Sequence, residues 1–181
     1  MKTLYLERSV STGRDGGWTE KLDLDGIERI VVGTGPGSFA GIRAAIAFAQ
    51  GFALGRNCEV LGLPSPCAIA ATTFATHGII PLAVVGDARQ GKRWVARFDD
   101  GKLSGEVFQV TQAELARIIA PEIRIVSPDD RRIGAELHEI FNERYLGEVL
   151  PTDAGLAAYA EAHPQALKPE PLPIYLNPAV R

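Results

Sequence analysis

The sequence contains little that would support a disulfide framework or a metal site. It has two cysteines, Cys58 and Cys67, among 181 residues. Their spacing fits no zinc motif, and their apolar surroundings indicate buried thiols in a reducing compartment. The three histidines are scattered, and the stretch that begins at His138 lacks the second histidine of a zinc-protease helix. The sequence therefore predicts no metal ligands on this chain.

The chain also lacks an excess of positive charge. It has 19 basic and 22 acidic residues, a formal charge of −3, which does not favour binding to nucleic-acid phosphates by the chain alone. Short basic runs at 89–93 and 131–132 are candidates for a local basic patch, although runs of that length are usually solvated surface. The first apolar stretch is interrupted by Glu7 and Arg8. No secretion signal or membrane span is indicated, and we expect a cytoplasmic protein.

What the chain does have is an alternation of apolar runs and helical stretches. Hydrophobic residues make up 46% of the sequence, enough for a core in one domain or two small lobes. The pattern predicts strands at 27–33 and 59–63, and helices at 38–54 and 65–76. A β-α-β-α order indicates parallel strands with helical crossovers, and so the α/β class.

The second half begins with a predicted hairpin, whose strands at 79–85 and 93–98 flank a turn at 87–91. In this turn Asp87 and Arg89 could form an acid–base pair, but an aspartate that caps the turn and an arginine that pairs with it explain the same residues. The remaining predicted elements are a strand at 106–110, a helix that begins with a capping box at Thr111, a strand at 123–126, a helix from 128 to about 145, a helix at 154–162 and an extended, proline-rich tail at 168–178.

The most informative segment is GPGSFAGIR, from Gly35 to Arg43, which joins a strand to a helix. It satisfies a loose dinucleotide-binding pattern, but Glu59 stands before the next strand and not at its carboxyl end. A phosphate-binding loop would need lysine and then serine or threonine after Gly41. The third interpretation is a tight turn that packs a helix against a sheet, with Ser38 as the helix N-cap and not a nucleophile.

This glycine motif and the alanine-rich helix after it resemble the signature of the TsaB (YeaZ) family, whose members belong to the machinery that makes threonylcarbamoyladenosine beside the tRNA anticodon. The stretch from Asp87 to Ala96 and the stretch from Pro173 to Pro178 resemble two later family segments in order and spacing. Family members open with a strand that carries Ile-Asp-Thr-Ser. Here Glu7 or Arg8 takes the place of the aspartate, a turn is indicated at 13–17, and fewer residues precede the glycine motif.

The resemblance implies a two-lobed actin/Hsp70-like (ASKHA, RNase H-like) arrangement with a truncated first lobe at 1–78 and a second lobe at 79–181. It also implies a non-catalytic scaffold that docks a TsaD-like catalytic paralogue, with a TsaE-like ATPase as a further partner. ATP and a metal are then expected on the partner complex and not on this chain. tRNA is expected to be bound only through the complex. The resemblance therefore implies no catalytic residue here.

The helix after the glycine motif is apolar almost all round. Between Phe39 and Leu54, Arg43 is the only charged residue and Gln50 the only large polar one. Such a helix must be covered on more than one face. A second lobe could cover it, or another subunit's helix, from a paralogue or from a second copy in a homodimer. Four small residues would allow close approach: Ala44, Ala45, Ala47 and Ala49. The residues assigned to a partner interface are Gly35, Pro36, Gly37, Ser38, Phe39, Gly41, Arg43, Ala47 and Gln50.

The sequence leaves two other functions open. One is a glycoprotease-like hydrolase, a label that the wider family has carried, although no nucleophile–base pair is readable. The other is a nucleotide-binding protein that uses the turn from Gly35 to Gly41.

Overall fold

The computed structural model describes residues 1–10, 19 and 22–176. The turn predicted at 13–17 and the end of the predicted tail lie outside these residues. The strands and helices, in chain order, are β1 (Lys2–Leu6), β2 (Ile27–Gly33), α1 (Phe39–Ala53), β3 (Glu59–Leu63), α2 (Ser65–His77), β4 (Leu82–Arg89), β5 (Lys92–Asp99), β6 (Lys102–Leu103), β7 (Phe108–Thr111), α3 (Gln112–Ile118), β8 (Arg124–Ser127), α4 (Ala135–Phe141), β9 (Tyr145–Glu148) and α5 (Asp153–Ala162).

The chain divides into two compact units. The first contains Met1–Ala68 and Pro151–Ile174, and the second consists mainly of Ile69–Leu150. The sequence analysis placed residues after 78 in the second lobe, whereas the structure places Pro151–Ile174 in the first unit. The reason is that α5 packs against β1 and β2, a long-range contact that no local pattern shows. The α/β class is confirmed.

The first unit is built on a parallel sheet with the order β1-β2-β3. Leu4 pairs with Ile30 and Ile30 with Val60, so the three strands run in register toward one edge. Strand β2 is rich in β-branched residues, which suit a sheet that is covered by helices. Helix α1 lays Ile42 and Ile46 on this sheet, and they join its core. The predicted strands at 27–33 and 59–63 and the helix after each of them are confirmed.

The second unit is built on a mixed sheet with the order β6-β5-β4-β8-β9, and β7 pairs with β5. Strands β4 and β5 form the predicted antiparallel hairpin, although β4 begins at Leu82 and not at residue 79. Strands β4, β8 and β9 are parallel neighbours. The predicted capping box is present, since Thr111 and Glu114 exchange hydrogen bonds at the start of α3. A core of aliphatic side chains, among them Val85 and Leu137, lies on this sheet.

The helix expected from 128 or 129 to about 145 is present but is not uniform. It is a π-helical turn at Asp130–Gly134, followed by α4, which ends at Phe141, and by a 3-10 turn at Asn142–Arg144. Asn142 then takes a left-handed conformation with φ +50°, which stops the helix. The strand β9, four residues long and paired with β8, begins at Tyr145. A strand this short gives a weak sequence pattern and depends on its neighbour in the sheet.

Candidate functional site

The carboxyl ends of the three parallel strands of the first unit meet at one edge of the sheet. The loop after β2 is fixed to the start of α2, because the Gly35 N–H donates to Ser65 Oγ (2.9 Å) and the Ser65 N–H donates to the Gly35 carbonyl (3.0 Å). The Ser38 N–H donates to the Ser9 carbonyl at 2.5 Å. The loop from Thr34 to Ser38 is therefore tied to both neighbouring strand ends.

Each of three glycines near this loop faces the segment Glu7–Ser9 that follows β1. A Cβ atom at Gly33 would lie 2.0 Å from the Glu7 carboxylate, and one at Gly41 would lie 2.1 Å from the Arg8 carbonyl oxygen. A Cβ atom at Gly37 would lie 2.1 Å from the Ser9 carbonyl oxygen. At Gly37 and Gly41 the close atom is backbone oxygen, so a side chain is excluded there, whereas at Gly33 an added Cβ atom would require the Glu7 side chain to move. The spacing of the glycines is thus explained by the packing of α1 and its loop against the chain after β1.

Two N–H groups at the start of α1, those of Ser38 and Gly41, have acceptors within the chain. The Ser38 hydroxyl accepts from the Gly41 N–H at 3.3 Å, the N-cap role expected from the sequence. The Ser38 N–H is held by Ser9, as described above. The dinucleotide and phosphate-loop interpretations both require such groups to point at a ligand. The geometry instead supports the third interpretation, a tight turn that packs a helix.

The loop does not present all of the residues that the sequence analysis assigned to a partner interface. Gly35 and Pro36 are buried, and a cis peptide bond joins them. They are therefore not accessible to a partner. Gly41 is half-buried and points toward Arg8. Gly37, by contrast, is exposed, and Ser38 is half-buried.

Glu7, the residue that follows β1, is a buried acid at this edge of the sheet. Its Oε1 accepts from the Ser9 N–H at 2.7 Å, whereas its Oε2 has no hydrogen-bond partner among the described residues. Burial raises the pKa of Glu7, and the hydrogen bonds from Ser9 act in the opposite direction. The nearby Asp153 carboxylate also raises it. The resemblance puts Glu7 or Arg8 in the place of the family's aspartate, and nothing in the local sequence pattern indicates that Glu7 is buried.

Asp153 connects α5 to this edge, and sequence analysis did not single it out. Its Oδ1 accepts from the Glu7 N–H at 2.6 Å and from Arg8 Nη1 at 2.7 Å. The preceding Thr152 caps α5 by accepting from the Gly155 N–H at 3.0 Å. The Thr-Asp pair at a predicted helix start was the available signal for this contact.

Helix α1 has a buried face and an outer face. Ala45 and Ala49 are completely buried in the core of the first unit, together with Ile42 and Ile46. The expectation that Ala45 and Ala49 allow a partner helix to approach is therefore wrong, because they pack against the chain's own sheet. Ala44 and Ala47 are exposed, so the prediction that a partner helix approaches them still stands.

The outer face of α1 is exposed over its whole length. Its members follow a helical spacing of three and four residues: Ala40, Arg43, Ala44, Ala47, Gln50, Gly51 and Leu54. The Arg43 guanidinium lies over the ring of the exposed Phe39, 4.9 Å from its centroid. The face is thus a strip of small residues with one cation and one amide, and sequence analysis placed Arg43, Ala47 and Gln50 on it as the structure does.

A groove of about 560 Å³ adjoins the end of this face. Gln50 and Leu54 line it from the α1 side, and Pro171 and Leu172 line it from the segment that follows the bridge between Gly62 and Lys168. Leu54 is 78% exposed and Leu172 is 69% exposed. Large exposed apolar side chains beside a small-residue strip are typical of a protein contact surface.

Asp87 and Arg89 lie in the β4–β5 hairpin of the second unit. Asp87 Oδ1 accepts from the Arg89 N–H at 2.9 Å, which supports the turn-capping interpretation. The Asp87 N–H in turn donates to Asp129 Oδ2 at 2.9 Å. Arg93 lies 3.7 Å from Asp87 and forms a two-pronged ion pair with Glu136. The residues around Asp87 are therefore held by one another in a charged network.

Within residues 1–10, 19 and 22–176, no group of three or more histidine, cysteine or acidic side chains is arranged to hold a metal ion. Both cysteines are free, and burial raises the pKa of the Cys67 thiol. In the same part of the chain, no helix combines the length and apolar character that a membrane crossing requires.

Comparison with known proteins supplies further findings. The family model described as "TsaD: tRNA N6-adenosine threonylcarbamoyltransferase" matches residues 19–125. The tRNA threonylcarbamoyladenosine biosynthesis protein TsaB of Escherichia coli (strain K12) is 31% identical over 122 residues, which cover 66% of this chain and 50% of that protein. The TsaB protein of Haemophilus influenzae is 29% identical over 104 residues, 56% of this chain and 44% of that protein. The chain thus spans about half the length of the curated relatives it matches.

Two solved structures share the fold. YeaZ from Pseudomonas aeruginosa superimposes with a TM-score of 0.71 at 20% identity, covering 96% of this chain and 99% of that one. A Pseudomonas aeruginosa protein described as similar to the peptidase YEAZ gives a TM-score of 0.73 at 19% identity, with 97% and 99% coverage. The fold is therefore that of YeaZ. Since the family model matches more than half of the chain, the chain belongs to the tRNA N6-adenosine threonylcarbamoyltransferase (TsaD) family and, with its TsaB relatives, to the TsaB/YeaZ members of it.

Proposed function

We propose that this chain is a scaffold subunit in the formation of threonylcarbamoyladenosine in tRNA, and that it docks a TsaD-type catalytic subunit through the outer face of α1. The observation that carries the proposal is this exposed strip of small residues on a helix whose opposite face is in the core. The names of the TsaB relatives supply the pathway.

The strip has the features of a helix-docking surface. Ala44, Ala47 and Gly51 let another helix approach closely, since they add little bulk above the backbone. Arg43 and Gln50 are the polar groups of the strip, and they can fix the register of a partner through directional hydrogen bonds. The exposed Leu54 beside the groove extends the apolar contact at one end.

The partner that we propose is a TsaD-type paralogue, with a TsaE-type ATPase as a further component and tRNA as the substrate of the assembled complex. A second copy of this chain is the competing occupant of the same face. ATP and a metal belong to the partner complex in this proposal. The chain acts in the cytoplasm, where tRNA is modified.

A hydrolase function by the chain alone receives no support from the geometry. Ser38 uses its hydroxyl to cap α1, and Asp87 is held in the hairpin network. We expect no ATP or protein hydrolysis by the purified chain. Turnover that disappears in the variants Ser38→Ala or Asp87→Ala would make the chain an enzyme and contradict the scaffold proposal.

The proposal is tested by capture of the TsaD-type protein of the same genome on the immobilised chain. Arg43→Ala removes a cation from the strip, and a charge-assisted hydrogen bond lost at an interface costs about 1.5–3 kcal/mol, so we expect affinity to fall at least about tenfold. Arg56→Ala is the matched control, since Arg56 also lies over a phenylalanine ring, that of Phe52 (4.5 Å), but beyond the end of α1. Equal capture by both variants would contradict the role of the strip.

A further inference from the structure

Two short basic runs that are distant in sequence meet at one carboxylate of the second unit. Asp87 Oδ2 lies 3.8 Å from Nη1 of Arg89 and 3.6 Å from Nη1 of Arg132. Arg89 ends β4, and Arg132 lies in the π-helical turn after β8. Because β4 and β8 are parallel neighbours, their carboxyl ends lie at the same edge of the sheet. The fold therefore joins two patches that each looked like isolated surface charge.

The cluster is layered, with acids inside and cations outside. The Asp87 side chain is 12% exposed, whereas those of Arg89 and Arg132 are 63% and 50% exposed. The buried Arg93 is already neutralised by its two-pronged pair with Glu136. Arg132 Nη1 also lies 3.9 Å from Asp129 Oδ1, so the two exposed guanidinium groups are matched by the carboxylates of Asp87 and Asp129, which are more deeply buried.

Further exposed cations extend this edge on both sides. Lys92 follows the hairpin turn, and Arg131 precedes Arg132. The turn itself is unusual, since Arg89 and Gln90 take left-handed conformations with φ +68° and +52°, which are uncommon for residues with a side chain. The hydrogen bond from the Arg89 N–H to Asp87 holds this conformation. The arginine at the tip is therefore positioned by the backbone as well as by its ion pair.

We propose that these four residues, the basic edge (Arg89, Lys92, Arg131 and Arg132), contact the phosphodiester backbone of RNA. The proposal rests on the proposed function, which makes tRNA the substrate of the complex. Arginines that are held in place by acidic neighbours lose little side-chain freedom when they bind a phosphate. The cations project from two separate turns along an exposed edge, a layout that fits an extended polyanion better than one enclosed phosphate. The chain's net negative charge then limits binding to this local surface.

The test is the affinity of the full chain for an unmodified tRNA transcript, measured by fluorescence anisotropy over a range of KCl concentrations. In the double variant R89Q/R132Q, loss of two phosphate contacts should lower the slope of log affinity against log salt by about 1.4–1.8 and weaken binding roughly tenfold. The control K102Q/R117Q removes two exposed cations that lie outside the basic edge, and it should bind as the unmodified chain does. The variant R89K/R132K keeps the charge and should retain most of the slope, which separates phosphate contact from a structural role.

Three outcomes of the salt titration would overturn the inference. The first is that the unmodified chain does not bind tRNA at low salt, the second is that R89Q/R132Q keeps the same slope and affinity, and the third is that the control loses as much affinity as R89Q/R132Q. Displacement of tRNA by low-micromolar ATP would show a nucleotide site and would also overturn the RNA assignment. Capture of the TsaD-type partner is measured separately on the unmodified chain. If the TsaD-type partner is not captured, the proposed function is contradicted, but the salt titration still shows whether the basic edge binds RNA.

Discussion

The Arg8 carbonyl oxygen occupies the space that a side chain at Gly41 would need, since a Cβ atom there would lie 2.1 Å from it. This contact explains why a glycine stands three residues after Ser38, in the first turn of α1. The helix that carries the proposed docking face rests on the chain after β1 at this point. The position of that face thus depends on this backbone contact.

Gly41→Ala should destabilise the protein, because the atom that the new methyl group meets is backbone and cannot rotate away. We expect the free energy of unfolding to fall by about 1–3 kcal/mol, as for other overpacked sites. Urea denaturation measures this change.

Gly51→Ala is the matched control on the same helix. Gly51 is exposed and has no atom within 4 Å of an added Cβ, so alanine should stabilise the helix by about 0.5–1 kcal/mol. If both variants had the same stability as the unmodified protein, the close approach at Gly41 would be contradicted.

Two alanines of α1, two positions apart, should respond in opposite ways to a glutamate. Ala45→Glu places a charge in the core and should cost several kcal/mol or prevent folding. Ala47→Glu adds an exposed charge to the outer face, so the melting temperature should change little while capture of the TsaD-type subunit is lost. Thermal melting and capture by the same preparation distinguish the two variants. Unchanged capture by Ala47→Glu would place the partner elsewhere.

Much of the first unit could be predicted from the sequence, because its patterns are local. The β-branched run of β2 is typical of a strand, and the alanine-rich run of α1 is typical of a helix. The Ser38 cap is a signal between residues close in sequence. The same holds for the capping box at Thr111. What could be predicted of the candidate site was the strip that contains Arg43, Ala47 and Gln50.

The rest depended on contacts between distant residues. Strand β9 is stabilised by its pairing with β8, and the sequence pattern predicted no strand at these residues. The residues Pro151–Ile174 join the first unit through α5, and the meeting of Arg89 with Arg132 requires parallel β4 and β8. The sequence also did not show which alanines of α1 face the core, because a helix that is apolar almost all round has no clear polar side.

Glu7 should make folding stability depend on pH. Burial raises its pKa above the value in the unfolded chain, so the protonated acid favours the folded state. This stability is fully present below the unfolded pKa and is lost as the pH rises through the folded pKa. The loss is about 1.4 kcal/mol for each pH unit that separates the two pKa values. Glu7→Gln should be more stable than the unmodified protein at neutral pH and should lose this pH dependence.

Urea denaturation from weakly acidic to neutral pH measures the effect. The control is Glu106→Gln, since Glu106 is exposed. A pH dependence that is the same in Glu7→Gln as in the unmodified protein would show that Glu7 is not the titrating group.

The ion pair of Arg93 and Glu136 should contribute to the stability of the second unit. Their side chains are 10% and 17% exposed, so Glu136→Gln leaves a nearly buried guanidinium with a weaker partner. Breaking buried pairs costs about 3–5 kcal/mol, and we expect a loss toward the lower end of that range, because Asp87 lies near the same arginine. Glu139→Gln, at an exposed position of the same helix, should change the denaturation midpoint little. Equal midpoints for both would contradict the role of the pair.

The content of threonylcarbamoyladenosine in tRNA tests the central claim most directly. It is measured by mass spectrometry of tRNA nucleosides from a strain that lacks this chain and has no second TsaB-type gene. We expect the modified nucleoside to be depleted, to return with the unmodified chain and to return only in part with Ala47→Glu. Normal nucleoside levels in the strain without the chain would contradict the account.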